Sequence, residues 1–269
     1  MLTGDHEIGA TSAENRKAHP DGEVAGSIHD DSVAADYGFR GAVVHGIRVL
    51  EAALAPVYRE WGTDWFSGGG ISLRHRRPVY AGEPLVARFS PAERAGAFDL
   101  VVLDPAGEQV AVGEVTGPDA GRIAPEVPPA AEPPSPKRRA EKGSIAVGDP
   151  VVGVPVPVDE TLLHEQLFED PALRRAGLAL PAASLVVHVA GAAGFDTFEW
   201  QTPGMYYSSE NTFFAPPRFG STLRSTGVVV ETFERNGNTF FTTDYTVADE
   251  HQVIAVSRLT VLYHMGTRS

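Results

Sequence analysis

The sequence predicts an α+β fold made twice: two antiparallel sheets, each wrapping a long helix, joined edge to edge as a pseudo-dimer. Three observations carry this. A Pro-rich segment divides the 269 residues into halves of similar size. Each half places helices before a run of strands. Short segments of one half recur in order in the other.

The dividing segment is Gly117 to Gly143, GPDAGRIAPEVPPAAEPPSPKRRAEKG. It has almost no large apolar side chains and cannot bury enough surface to fold alone. Residues 1–117 and 144–269 are therefore read as domains and 118–143 as a linker. The basic run Lys137-Arg138-Arg139 reads as a solvated charge cluster of that linker.

In the first half a short helix fits Asp30 to Tyr37 and a longer one Val44 to Trp61. Strands fit Gly70 to Arg77, Pro84 to Ser90, Ala97 to Leu103 and Gln109 to Thr116, with Gly-containing turns between them. In the second half a strand fits Asp149 to Val156, and helices fit Glu160 to Phe168 and Ala183 to Gly194. Long strands fit Gly204 to Phe214, Thr222 to Glu234, Asn238 to Val247 and Val253 to Tyr263. Asn236-Gly237 marks a hairpin, because this pair supplies the positive φ such a turn requires.

The repeat is visible in residues. Val43-Val44-His45 recurs as Val186-Val187-His188, read as the start of the second long helix. Arg74 to Leu85 aligns with Thr212 to Leu223, placing Pro78, Gly82 and Leu85 on Pro216, Gly220 and Leu223. Gln109-Val110 falls on Gln252-Val253. Joining two such sheets removes two exposed edges that would otherwise invite aggregation.

Composition narrows the function. A formal charge of -13 repels a phosphate backbone, which argues against nucleic acid as partner. With no Cys there is no disulfide, thiolate metal site or Cys nucleophile. The nine His are scattered, with no helical pair at metal-ligand spacing, so no metal is expected. The N-terminal stretch lacks an apolar core, and no run approaches the roughly 18 apolar residues of a membrane span, so a cytoplasmic protein off the membrane is expected. There is no Gly-x-Ser-x-Gly elbow or P-loop, and Gly68-Gly69-Gly70 lacks the spacing of a dinucleotide loop.

Ser27 to Leu50, SIHDDSVAADYGFRGAVVHGIRVL, resembles the core of MaoC-like (R)-specific enoyl-CoA hydratases and dehydratases, which have the double hotdog fold. Ile28-His29 matches the end of that family's Asp-x-Asn-Pro-Ile-His stretch. Gly38-Phe39-Arg40-Gly41 matches its aromatic Gly loop, and Val44-His45-Gly46 its helix entry. Arg76 to Leu85 resembles its Pro-Val-x-x-Gly-Asp/Glu strand and turn. The resemblance implies an acyl-thioester enzyme with no cofactor of its own, coenzyme A or phosphopantetheine arriving as part of the substrate. The partner would be a small acyl-CoA or an acyl carrier protein, and the pseudo-dimer would act as a monomer or pair again as a homodimer.

The sequence also departs from the family. The catalytic Asp position falls at Val24, and Asn and Pro fall at Gly26 and Ser27. His29 remains as the general base, read as lying in the first turn of the short helix, where the positive helix end keeps imidazole neutral. Asp31, or Asp30, is a candidate replacement acid. Asp30 has capping-box spacing from Ser27 and is read as a cap or a substrate contact. Gly46 is the expected backbone donor to the thioester carbonyl, with His45 beside it; the alternative is a glycine that lets the helix pack close to a strand. Arg40, Arg74 and Arg77 (with Arg76) are candidate contacts to the carrier's phosphates. Tyr207 heads an aromatic group with Tyr206, Phe213 and Phe214 on a strand along the tunnel, where Glu210 and Asn211 form a polar pair. His188 reads as a core histidine.

Three functions fit these residues. Water adds to or leaves the α,β-bond of an acyl thioester, with His29 as base. Alternatively the same scaffold hydrolyses the thioester, which needs one water-activating group. The third is a pocket repurposed for cyclisation or acyl binding.

Overall fold

The computed structural model describes residues 2–10, 28–80, 82–119, 121–160, 162, 183–200 and 204–265. Val24, Gly26, Ser27 and most of the helix expected from Glu160 to Phe168 lie outside them.

In chain order the first half comprises β1 (Gly4–Ala10), α1 (Asp31–Asp36), α2 (Gly46–Trp61) and a 3-10 turn (Gly62–Phe66). It continues with β2 (Gly70–His75), β3 (Pro84–Pro91), β4 (Ala97–Leu103) and β5 (Gln109–Thr116). Beyond lie β6 (Arg138–Ala140), β7 (Pro150–Val152), β8 (Val156–Pro157), α3 (Ala183–Thr197) and β9 (Phe198–Trp200). The long strands β10 (Met205–Phe213), β11 (Thr222–Arg235), β12 (Asn238–Ala248) and β13 (Val253–His264) complete the chain.

The main sheet runs β1-β3-β4-β5-β2-β10-β13-β12-β11-β7, with β8 also on β11. The order is a palindrome: each first-half strand has a second-half counterpart at the same distance from the β2–β10 join. That join pairs Arg74 with Ser208 and Gly70 with Thr212. The repeat is therefore structural. The connections β2–β3 and β10–β11 each carry a glycine with positive φ, Gly82 at 82° and Gly220 at 78°, at the positions the aligned segments predict. The Asn236-Gly237 turn has φ of 52° and 77° and closes the β11–β12 hairpin.

Three expectations are corrected. His45 is the N-cap of α2, whereas His188 lies inside α3, so the Val-Val-His repeat is not equivalent in helix position. His29 precedes the cap of α1, Asp30, instead of lying in the helix. The end of the linker is not merely solvated. Arg138–Ala140 pairs in parallel with β9, Arg138 bonds to Asp149 and lies over the Phe198 ring, and Ala140 is buried.

α2 is amphipathic. Ile47, Leu50, Leu54, Val57 and Tyr58 recur at helical spacing and are buried, while Arg59 and Glu60 are exposed. Gly62 (φ 56°) ends it. α3 is apolar nearly all round, and Leu185, Val186, Val187, Val189, Ala190 and Ala193 are buried. It packs against β7, β11, β12 and β13, while α2 packs against α3, β1 and β10. Both helices share one continuous core. No helix among the described residues is long and apolar enough to cross a membrane.

Candidate active site

A cavity of about 570 Å³ lies across the join of the two halves. Three pieces of the first half line it: Ile28 and His29, the α2 entry at Val43–Gly46, and the end of β2 with the following loop (Arg74–Val79). The second half contributes Met205, Tyr206 and Tyr207 of β10, the Arg235-Asn236 turn, Phe240 and Leu262.

The helix entry is held in place by the backbone. Val43 N donates to Ile28 O at 2.9 Å, and Val44 N donates to Val79 O at 2.7 Å. His45 then caps α2: its Nδ1 accepts from Ile47 N–H at 3.3 Å and its carbonyl from Arg48 N–H at 2.8 Å. His29 Nδ1 lies 2.6 Å from Val43 O. A carbonyl only accepts, so Nδ1 carries the proton and Nε2 keeps its lone pair. The His29 and His45 rings stack with centroids 4.9 Å apart and planes 26° apart.

Gly46 sits hard against the opposite wall. A Cβ there would lie 2.8 Å from His75 Nε2 and 2.8 Å from Tyr206 Cδ1. Close helix–strand packing is thus one reason for glycine at this position. It also leaves the Gly46 N–H, at the start of α2 on the cavity lining, with no side chain of its own in front of it.

Burial holds two of these imidazoles neutral. His75 is pushed down to about 4. His45 is held well below the usual histidine range by burial first, with His29, His188, Arg48 and His75 around it adding to the effect. His75 packs edge-on against Tyr206 at 4.9 Å, and its Nε2 is buried with no hydrogen-bond partner among the described residues. Burial also raises the Tyr206 phenol, whose hydroxyl shares a 2.6 Å bond with Ser209 Oγ. The bond continues inward, Asn211 Nδ2 donating to Ser209 Oγ (2.7 Å) and Ser257 Oγ to Asn211 Oδ1 (2.7 Å).

Neighbouring residues Tyr206 and Tyr207 both reach the cavity because β10 carries a bulge between Tyr206 and Ser208. An extra residue in one strand re-aims the side chains around it. Tyr207 Oη accepts from Arg235 at 3.1 Å.

Of the residues singled out from sequence, His29, His45, Gly46, Arg74, Arg77 and Tyr207 line the cavity. Asp30, Asp31 and Arg40 do not. Asp30 is the N-cap of α1 and accepts from Ser32 N–H at 2.9 Å. Asp31 accepts from Ala42 N–H at 2.7 Å and so ties α1 to the Gly loop. Arg40 is exposed, bonded to Glu83 and lying over the Tyr80 ring. Arg77 pairs with Glu108 at 3.1 Å. Arg74, Arg76 and Arg235 have no carboxylate at ion-pair distance among the described residues, so cations from both halves ring the cavity. Asn211 belongs to the buried network, and Glu210 is exposed.

Tyr206, named with Tyr207 in the aromatic group, also lines the cavity; His75 and Arg235 were not singled out for this site. For His75 a signal existed: Ile71 and Leu73 face the core, and alternation carries His75 to the same side.

No protein-family model matches the sequence. No curated protein matches it significantly. Solved structures do match over nearly the whole chain. A MaoC-like dehydratase superposes with a TM-score of 0.59 at 16% identity, over 97% of this chain and 98% of that one. A conserved hypothetical protein from Mycobacterium tuberculosis with a double hotdog fold gives 0.61 at 15%, over 97% and 96%. The chain folds as a double hotdog. A Lactobacillus plantarum protein provisionally assigned as an oleoyl thioesterase shares this double hotdog shape, with a TM-score of 0.54 at 9% identity over 97% and 95%.

Proposed function

We propose that this double hotdog is an acyl-thioester enzyme of MaoC-like descent that adds water to, or removes it from, the α,β-bond of an acyl-CoA or acyl-carrier substrate. The observation that carries the reading is the placement of the His29 base beside the open N-terminal end of α2 in one cavity. The acyl chain enters the apolar part of that cavity, between Val49, Phe240 and Leu262. The carrier's phosphates meet Arg74, Arg76 and Arg235 at its margin. The thioester carbonyl accepts from Gly46 N–H, which stabilises the charge that develops on oxygen when the Cβ is attacked. His29 Nε2 takes the proton of the attacking water.

Thioester hydrolysis is the second reading, and Val24 favours it. Where the family has Asp, a side chain without a proton-accepting group leaves a single base, and hydrolysis needs only one.

Mass spectrometry of purified protein with crotonyl-CoA and a panel of longer and cyclic acyl-CoAs separates the two. Gain of one water with CoA retained, falling about 10²-fold or more in His29→Ala, is the expected result. Release of free CoA and acid establishes hydrolysis instead. A panel left intact by the wild-type protein overturns both.

A further inference from the structure

If position 24 supplies no acid, the chemistry needs a second group from elsewhere. Asp30 and Asp31 are engaged in the N-cap of α1 and in holding Ala42. The cavity instead contains a second imidazole stacked on the first, and the two rings carry their protons on opposite nitrogens. His29 Nδ1 faces a carbonyl oxygen, so its Nε2 is an acceptor. His45 Nδ1 accepts from the Ile47 N–H, so its Nε2 bears the proton and is a donor. His29 thus offers a lone pair at Nε2 and His45 an N–H at Nε2, and both residues line the cavity.

We infer that His45 is a catalytic residue, a neutral hydrogen-bond donor to the acyl carbonyl beside Gly46 N–H, so that a His29–His45 pair does the work of the carboxylate–histidine pair. This assignment rests on the functional reading above and deepens it. Among the described residues, the groups that act on the charge of His45 are His29, His188, His75 and Arg48, the last paired with Glu51. A proton added to its ring is opposed by all of them and by burial, so the donor stays neutral. A neutral imidazole N–H can polarise a carbonyl, as other enzymes show when a helix N-terminus lowers the pKa of the histidine.

The hydration step balances with these two groups. A water O–H bond breaks and its proton goes to His29 Nε2. The water oxygen bonds to Cβ, and the π pair moves through Cα onto the carbonyl oxygen. His45 Nε2–H and Gly46 N–H hold that oxygen. As the carbonyl re-forms, Cα takes the proton from His29. One hydrogen and one hydroxyl have been added, His45 keeps its own proton, and nothing is oxidised or reduced.

The test separates donor from cap. Asn is a strong N-cap, so His45→Asn keeps an acceptor for the first turn of α2 while its shorter amide draws the side-chain N–H groups back from where the His45 Nε2–H lies. His45→Gln extends an amide donor back toward it. With a thioester that the wild type turns over, His45→Asn should lower kcat by about 10²–10³-fold with KM changed by less than roughly threefold. Its melting temperature should stay within about 4 °C of wild type. His45→Gln should recover about tenfold of the loss. The carbonyl stretch of bound ¹³C-labelled butyryl-CoA reads polarisation without turnover, and its shift from free ligand should shrink in His45→Asn.

Near-wild-type kcat in His45→Asn, or an unchanged carbonyl stretch, overturns the assignment and leaves the functional reading standing. Loss of activity in both variants together with loss of fold makes His45 a cap and also overturns it. A wild-type protein that neither binds nor turns over any acyl thioester overturns the functional reading itself.

Discussion

In the first half, the N-terminal end of α2 opens onto the cavity, capped by His45 and left bare by Gly46. In the second half, the described start of α3 is closed over, because Ala183 N–H donates to the hydroxyl of Tyr58 from α2 at 3.0 Å in the buried interior. α2 carries charge and an exposed face, and α3 is apolar and buried. The palindromic sheet shows that the two halves share one plan. They differ in what covers the helix end. One half keeps the glycine at the helix entry on the cavity lining with three imidazoles around it. The other supplies a wall: Tyr206, Tyr207, Phe240, Leu262 and the Arg235 turn. On the proposed function, the duplicated fold keeps its chemistry on one side and uses the other for shape and charge.

The largest test of this asymmetry is Gly46→Val. The added side chain meets His75 and Tyr206 at 2.8 Å, both rings held in the wall. Turnover should fall about 10²-fold or more through misplacement of the carbonyl site. Overpacking should remove about 1–3 kcal/mol of stability, read by urea denaturation. The second-half control is Gly191→Ala in α3. There a Cβ meets only Leu259 Cδ2, at 3.6 Å, an ordinary contact. Better helix propensity should leave that variant as stable as wild type or more so by about 0.5–1 kcal/mol. Equal tolerance at both glycines would remove the distinction between the helices.

The repeat and the strand order were readable because strands punctuated by Gly-containing turns leave local marks. The bounds of β4 and β5 coincide with those expected, and Gly82 and Gly220 mark equivalent turns. β1 went unread because Gly-Asp-His-Glu-Ile-Gly-Ala has no clear alternation and is organised by pairing with β3, from Gly4 against Phe89 to Ala10 against Pro84. β6 and β9 are likewise made by a parallel pairing distant in sequence. At the site, His29, His45 and Gly46 were legible from the resemblance to one segment. Tyr206 and Tyr207 were legible as aromatics of a tunnel strand, but the bulge that brings both neighbours to the cavity was not, since strict alternation sends neighbours to opposite faces. Arg40 looked like a phosphate contact by type and position, but Glu83, distant in sequence, takes it. Asp30 and Asp31 show the reverse case, carboxylates next to His29 in sequence whose hydrogen bonds serve the local backbone.

The next effect follows from acid. His75 titrates at about 4 in the fold, against 6.5 for an imidazole free in water. Between these values the unfolded chain binds the proton and the folded chain does not. Stability is therefore unaffected by His75 above pH 6.5 and is lost as pH falls toward 4, by about 3 kcal/mol in all. His75→Leu removes both this liability and a buried nitrogen without a partner. Urea denaturation at pH 7, 5.5 and 4 should show a shallower acid limb for His75→Leu than for wild type. The limb should not vanish, because His45 is depressed by the same burial. Superimposable limbs would mean that acid does not act on the first-half wall through this residue.

The smallest effect concerns the closed helix. Tyr58→Phe keeps the ring that packs on Trp65 and Phe66 and deletes only the hydroxyl that receives Ala183 N–H. A buried donor that loses its acceptor costs about 1–3 kcal/mol, so the variant should melt at lower denaturant. Its kcat and KM should match wild type, because the site is at the opposite end of α2 from Tyr58, near His45. The two readouts together decide the meaning of the asymmetry. Lower stability with intact turnover makes the Tyr58 hydroxyl a structural plug on a helix end that has left the chemistry. Lost turnover would tie the α3 end to the reaction, and the second half would then be more than a wall.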